Sequence, residues 1–408
     1  MQAFSAYDLY HGLAVNTHWD FANTPYTADR AKAIACAKEL GFPLHRDCCY
    51  EPSSVKLWAD VAAACGNRFI AYQMQGQVEW MLQSYRNTTA LHKAGLLAYL
   101  EGGNEEDSDY ATGKYIVDGK QYFTPNSIAR TQALQREMYA GWKGKLPVIN
   151  MSLGAGWEDA EGHYDDLGDM SDACDLLNAH TYPQNKQTPS FGLDHIGGLA
   201  KLTGTKPVAH TEFGYHTTPA KLDTTQSGVS EEAQAIYLAQ AVCSFLPMGY
   251  PLLGIFELFD QKTGDADKEK NWGLYRSDYS AKPSAIALKN IADVFREAKK
   301  VDCKPLEVTL EGLKPSHKYF LYQMDEGEYG LVMWREEPIY DSVNKVRLGT
   351  GYNDVVTINS PSGKATVSVN NLPAFFPIKA AAYTAADMAA EYERGRADVW
   401  KAIDSLRA

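Results

Sequence analysis

Eight times before Lys300 the chain repeats one pattern: a short apolar segment closed by polar residues, then a longer stretch with helical periodicity. The apolar segments are Leu13–Trp19, Phe42–Asp47, Arg68–Met74, Leu97–Glu105, Pro147–Gly154, Leu176–Pro183, Pro207–Gly214 and Leu252–Asp260. Helical stretches lie between them, such as Ala28–Leu40, Ser53–Ala64, Thr88–Ala94, Ser127–Gly141, Ile196–Leu202 and Ser230–Phe245. Eight such alternations over roughly 300 residues predict a (β/α)8 TIM barrel. A doubly wound open sheet would want a glycine-rich turn after its first strand, and the segment NTHWDF at that point has none.

Past the last helical stretch, Pro283–Lys300, the texture changes. Short alternating segments separated by Gly, Pro, Asn and Asp run from Leu306 to Ala380 and predict a small antiparallel β-sandwich. Thr384–Ala408 reads as an amphipathic C-terminal helix, with Met388, Tyr392, Val399 and Ile403 among its apolar positions. The expected division is a catalytic barrel over 1–300, a sandwich over 301–383 and a terminal helix over 384–408.

Composition narrows the partners. A net charge of −12 without a Lys/Arg run argues against nucleic acid or an anionic membrane, and a surplus of neutral polar and aromatic groups, 25 tyrosines among them, suits a neutral ligand. No apolar run reaches the roughly 20 residues of a spanning helix, so no membrane insertion is expected. The N-terminal segment MQAFSAYDLYHG lacks the basic and apolar regions of a signal peptide. The seven cysteines are dispersed without CxxC or Cys/His metal spacing, which predicts mostly free thiols with one or two disulfides.

In a barrel of this kind, function collects where the strands end. The fourth segment ends in Asn104 and Glu105, within YLEGGNEED, and the seventh carries Glu212, within HTEFGY. Two carboxyl groups facing each other across a barrel mouth are the usual means of breaking a glycosidic bond, one protonating the leaving oxygen and the other attacking the anomeric carbon. On this reading Glu105 is the acid/base and Glu212 the nucleophile, and Glu105 has to occupy the drier setting to stay protonated near neutral pH. Arg46, ending the second segment, is placed to keep Glu212 ionised. His180 and Tyr182 share one strand face, with Tyr182 placed to donate to Glu212 and His180 to order the site. Asn104 is assigned to the sugar 2-hydroxyl. Further substrate contacts are expected from His18, Trp19, Gln73, Trp157, Glu257 and Trp272, with no cofactor and no metal.

These motifs, in this order and spacing over residues 10 to 300, resemble the clan A retaining glycoside hydrolases, of which families 5 and 39 are examples. The resemblance implies the same barrel, an acid/base glutamate after an asparagine at the end of strand four (Asn104-Glu105), a nucleophile at the end of strand seven (Glu212), and a β-type linkage in a polysaccharide or oligosaccharide substrate. It extends to Asn271–Ala285, the approach to the last helix. One departure is the end of strand eight, where the clan often has a tryptophan and this chain has Phe256, Glu257, Phe259 and Asp260. Two alternatives share the same residues: a carbohydrate-binding barrel without chemistry, and a transglycosylase. A secreted or periplasmic address is expected if the substrate is an exopolysaccharide.

Overall fold

The computed structural model of this chain describes residues 1–73, 78–107, 115–117, 120–122, 125–154, 160–221, 226, 228–349 and 353–379. Its centre is a ring of eight parallel strands: β1 (Leu13–Asn16), β2 (Leu44–Cys48), β3 (Arg68–Gln73), β4 (Leu97–Gly103), β5 (Val148–Ile149), β6 (Leu177–Thr181), β7 (Val208–Phe213) and β8 (Leu253–Ile255). They pair in the order β5-β4-β3-β2-β1-β8-β7-β6, and a bridge between Ile149 and Leu176 joins β5 to β6. This is the expected TIM barrel.

Alternation along each strand sorts the side chains. Leu13 and Val15, Leu177 and Ala179, and Leu253 and Ile255 point outward into the core shared with the helices. Ala14, Leu44, Ile70, Ile149, Ala209 and Leu252 meet inside the ring as an apolar plug. Two residues further along, the inward positions turn polar: Asn16, Arg46, Tyr72 and Thr211 follow Ala14, Leu44, Ile70 and Ala209. Glu101 and Asn178 stand in the same relation to Tyr99 and Leu176, which pack against the plug. The plug closes one end of the ring, and the polar layer above it becomes the floor of a site.

The helices that follow the barrel strands in turn are α1 (Arg30–Leu40), α2 (Ser54–Cys65), α3 (Val78–Lys93), α4 (Pro125–Trp142), α5 (Ala160–Leu167), α6 (Pro189–Ala200), α7 (Glu231–Ser244) and α8 (Pro283–Phe295). Local chemistry sets several starts. Ser230 accepts from Ala233 N at the head of α7, and Thr188 accepts from Phe191 N just before Pro189 opens α6. The sequence pattern starts α3 and α6 too late and omits α5. Gly192, Gly197 and Gly198 weaken the periodic signal in α6, and tertiary packing supplies what propensity lacks.

All seven cysteines are free thiols, which corrects the expectation of one or two disulfides. Each lies on its own strand, helix or loop except the neighbours Cys48 and Cys49, so none is brought opposite another. The expected helix over 384–408 lies outside the described residues.

The sandwich packs two sheets. One holds β10 (His317–Asp325), β11 (Glu328–Arg335) and β14 (Ala374–Lys379), and the other β9 (Thr309–Glu311), β12 (Asp354–Ser360) and β13 (Gly363–Val369). The strand Ala3–Ser5 joins the first sheet, parallel to β10. Leu321, Leu331 and Met333 face the second sheet. Their neighbours Phe320, Tyr322, Val332 and Trp334 face the barrel's own core. At this seam Phe295 of α8 meets Tyr322 and Phe375 edge-on, with ring centroids 5.0 and 5.7 Å away. Phe295→Ala is expected to cost about 3–5 kcal/mol in urea unfolding; a change below about 1 kcal/mol would mean that the two units are not packed as one core.

Candidate active site

Arg46, on β2 and only 2% exposed, stands at the centre of the polar layer. Its guanidinium makes five hydrogen bonds. Nε and Nη2 grip Glu101 Oε2 and Oε1, both at 2.7 Å. Nη1 reaches Asn16 Oδ1 at 2.8 Å and Glu212 Oε1 at 2.6 Å, and Nη2 also reaches Asn104 Oδ1 at 2.6 Å. The ring of Tyr72 lies 4.5 Å from the guanidinium carbon. Burial alone would lower the Arg46 pKa, but the charges of Glu101 and Glu212 outweigh it and raise it.

Glu212 ends β7 beside an irregularity. His210 pairs with Ala179 and Glu212 with His180, leaving Thr211 as an extra residue. That bulge lets both Thr211 and Glu212 face the axis. The second carboxyl oxygen of Glu212 accepts from the Tyr182 hydroxyl. Burial raises the Glu212 pKa; His180 and Arg46 pull it down and Glu105 pushes it up, for a net rise.

Glu105 lies just beyond β4 with φ of +49°, a left-handed backbone uncommon for glutamate. Its amide donates to Ser152 Oγ at 3.1 Å. Gly154 makes room for it, since a Cβ there would sit 2.9 Å from the Glu105 carboxyl. Glu105 Oε1 is 2.6 Å from His180 Nδ1. His180 Nε2 is 3.0 Å from Thr211 Oγ1, whose proton goes to Asn178 Oδ1 or Glu101 Oε1. The Thr211 oxygen therefore accepts from Nε2, and the Nδ1 side is where His180 and Glu105 share a proton. Burial raises the Glu105 pKa, but the hydrogen bond and charge of His180, with Arg46 and Lys268, lower it on balance. Burial lowers the His180 pKa, and Glu212 and Glu105 more than reverse this. The expectation that Glu105 is the drier carboxyl is corrected: its side chain is 29% exposed and that of Glu212 is 7%. His180, not a dry pocket, governs the proton on Glu105.

These groups open into a cavity of about 360 Å³. Of the expected site residues, Asn104, Glu105, Tyr182, Glu212, His18 and Trp272 line it, with Arg46 and His180 bonded to the carboxylates from behind. Phe256, Trp272 and Tyr182 form an aromatic wall, with ring centroids 4.8 to 6.0 Å apart. Phe256 thus faces the cavity near the end of strand eight.

Three expected contacts are elsewhere. Trp19 is fully buried against Tyr26 and His45, because Asp47 holds its amide and turns the indole into the core. Gln73 turns to α3, donating to Thr88 Oγ1 at 3.1 Å, and its neighbour Tyr72 lines the cavity instead. Glu257 is fully buried behind the wall, 3.2 Å from His18 Nε2. Burial and Asp260 raise its pKa well above the usual value, while burial and Arg46 lower that of His18 to about 3. Trp157 lies outside the described residues. Sequence reading passed over Phe21, Tyr72, Gln226, Gln261, Lys268 and Glu269 on the wall, which come from loops or from a strand position without an apolar signature. Glu101, two residues along β4 from Tyr99 and of the same strand parity as Glu105, is the bidentate partner of Arg46.

Among the described residues, Glu105, His180 and Glu212 offer one ligand atom each within 4.8 Å of one another, the spacing of a metal cluster. Hydrogen bonding among the three, with Arg46 and Tyr182, already accounts for the arrangement. No helix among the described residues is long and apolar enough to cross a membrane.

The (β/α)8 barrel with its appended sheets has counterparts among solved structures. It is shared with a family 39 glycoside hydrolase from Bacteroides cellulosilyticus WH2 (TM-score 0.58, 14% identity, 92% of this chain and 82% of that one). It is shared also with a family 39 β-xylosidase from Caulobacter crescentus (TM-score 0.52, 12% identity, 82% and 79%). At such identities the likeness is one of fold. No family model and no curated protein matches the sequence.

Arg46→Met leaves Glu101 buried without its counter-charge and is expected to cost about 3–5 kcal/mol in urea unfolding, with much of the loss recovered in Arg46→Met/Glu101→Gln. Glu105, lowered from 4.5, stabilises above that value and loses its contribution as pH falls through its folded pKa. His180, raised from 6.5, stabilises below that value and loses its contribution as pH rises through its folded pKa. The stability gap between wild type and His180→Gln should therefore be widest from pH 4.5 to 6.5 and narrow on either side; a gap independent of pH would refute the shared proton.

Proposed function

We propose that the protein is a retaining glycoside hydrolase acting on a β-linked oligosaccharide or polysaccharide. The observation that carries this reading is the approach of the Glu105 and Glu212 carboxyl oxygens to within 4.8 Å. Retaining enzymes hold their carboxyls about 5–5.5 Å apart, whereas inverting enzymes leave roughly 6.5–9.5 Å for a water.

Glu212, paired with Arg46 and hydrogen-bonded by Tyr182, attacks the anomeric carbon. The pair formed by Glu105 and His180 gives its proton to the leaving oxygen, and the bond between anomeric carbon and leaving oxygen breaks. The resulting glycosyl ester on Glu212 is then attacked by water, whose proton returns to the pair as Glu212 is released. Coupling the acid to His180 lets Glu105 act without a dry pocket. With its oxygen held by Arg46, Asn104 has its NH2 left for the sugar 2-hydroxyl, a contact that strengthens as positive charge develops. The wall of Phe256, Trp272 and Tyr182 suits the apolar face of a sugar ring.

Hydrolysis of a panel of 4-nitrophenyl β-D-glycosides, followed by proton NMR, should give a first product with the anomeric configuration of the substrate. Glu105→Gln is expected to lower kcat by about 10²–10⁴-fold, and Glu212→Gln to lose on the order of 10⁴-fold or more, with both variants still folded by circular dichroism. An inverted first product, or near wild-type turnover in either variant, would overturn the assignment.

A further inference from the structure

The sandwich is joined to the barrel by more than its apolar seam. A short hairpin, Tyr340–Asp341 paired with Val346–Arg347, extends from it to the rim where the site opens. Its turn contacts the loops that follow both β6 and β7. Asp341 pairs with Lys186 at 2.8 Å, and Ser342 N donates to Asn185 Oδ1 at 2.8 Å. Arg347 pairs with Glu232, in the first turn of α7, at 2.9 Å.

Lys345 is the unusual member. Its φ is +57°, a left-handed conformation that favours glycine, yet the position carries a long cationic side chain. Its ammonium donates to two backbone carbonyls, Thr218 O at 2.9 Å and Gly228 O at 2.8 Å. These two residues form the neck of the loop that follows Glu212. The neck is tight, since a Cβ on Gly228 would stand 2.7 Å from Thr218 O. Beyond the neck the loop delivers Gln226 to the cavity wall, where Gln226 accepts from Lys268, another wall residue. Thr218 also donates from its hydroxyl to Asp265 O at 2.8 Å, linking the neck to the loop that bears Lys268.

We propose that this hairpin is a working part of the substrate cleft, with Lys345 a positioning residue that clasps the neck of the loop after Glu212 and so sets Gln226 and Lys268 against the bound sugar. Lys345 touches no reacting group. Lys345 carries a left-handed backbone, and its ammonium closes the neck by bonding both carbonyls. The sandwich thereby shapes binding rather than the chemical step. This inference rests on the glycosidase reading for its kinetic arm only.

Lys345→Gly is the informative variant, because glycine suits the backbone and removes only the clasp. In the full chain its Tm should stay within about 3 °C of wild type. Amide exchange in peptides covering 216–229 and 262–270 should accelerate while the barrel strands keep their protection. On a 4-nitrophenyl β-D-glycoside that the wild type hydrolyses, KM should rise about tenfold with kcat within about twofold, and Lys345→Arg should recover part of the loss. Unchanged exchange together with unchanged KM would overturn the proposal, as would a parallel fall in Tm and kcat, which marks a merely structural role. If the wild type hydrolyses no glycoside, the glycosidase reading fails by itself and exchange at 216–229 decides the positioning role.

Discussion

One guanidinium holds the interior of the barrel together. All five N–H donors of Arg46 are used, and their acceptors come from β1, β4, the turn beyond β4, and β7. A buried arginine without such partners would be strongly destabilising, so the sheet has to bring Asn16, Glu101, Asn104 and Glu212 to one point. Glu101 matters most for charge balance. Its two oxygens take the bidentate grip, and it also accepts from Asn178 Nδ2 at 2.9 Å. Arg46 and His180 pull the Glu212 pKa down, but burial outweighs them and Glu105 adds to the rise.

The same economy of strand geometry separates dry from wet. An apolar layer lies two residues below each polar inward position, so water is excluded beneath Arg46 and admitted only from the rim. Inside that gradient the two candidate carboxylates differ by their partners. Glu212 has a permanent cation and a phenol; Glu105 has an imidazole whose own charge depends on the Glu105 proton. That contrast of partners, with Glu105 the more exposed of the two, separates their roles. A bulge at Thr211 makes the arrangement possible, because strict alternation would turn either Thr211 or Glu212 away from the axis.

The sandwich belongs to the same argument. Both faces of its first sheet are used: Phe320, Tyr322, Val332 and Trp334 pack into the barrel's core, and Leu321, Leu331 and Met333 into the sandwich's own. The strand Ala3–Ser5 pairs with that sheet, so segments on both sides of the barrel in sequence meet in it. The hairpin at 340–347 then reaches past the seam to the loops on either side of Glu212.

Much of the barrel was legible in the sequence, because period-two apolar segments with polar ends leave few other folds for eight such units. The order of Asn104-Glu105, His180 and Tyr182, and Glu212 was legible too, since each sits where a strand stops. The failures have physical causes. Trp19, Gln73 and Glu257 stand at strand ends as the cavity residues do, and only the turn that follows each decides whether the side chain enters the cavity or the core. That Glu101 grips Arg46 depends on β2 and β4 being brought together around the ring. Which carboxyl is drier, and that His180 governs the Glu105 proton, depend on distances between residues some 75 positions apart in the chain. Sequence alone determined the alternation of strand and helix and the chemical types at the rim, because these follow from local periodicity. Tertiary structure alone decided which of those groups meet, because closing the ring brings remote strands within hydrogen-bond reach.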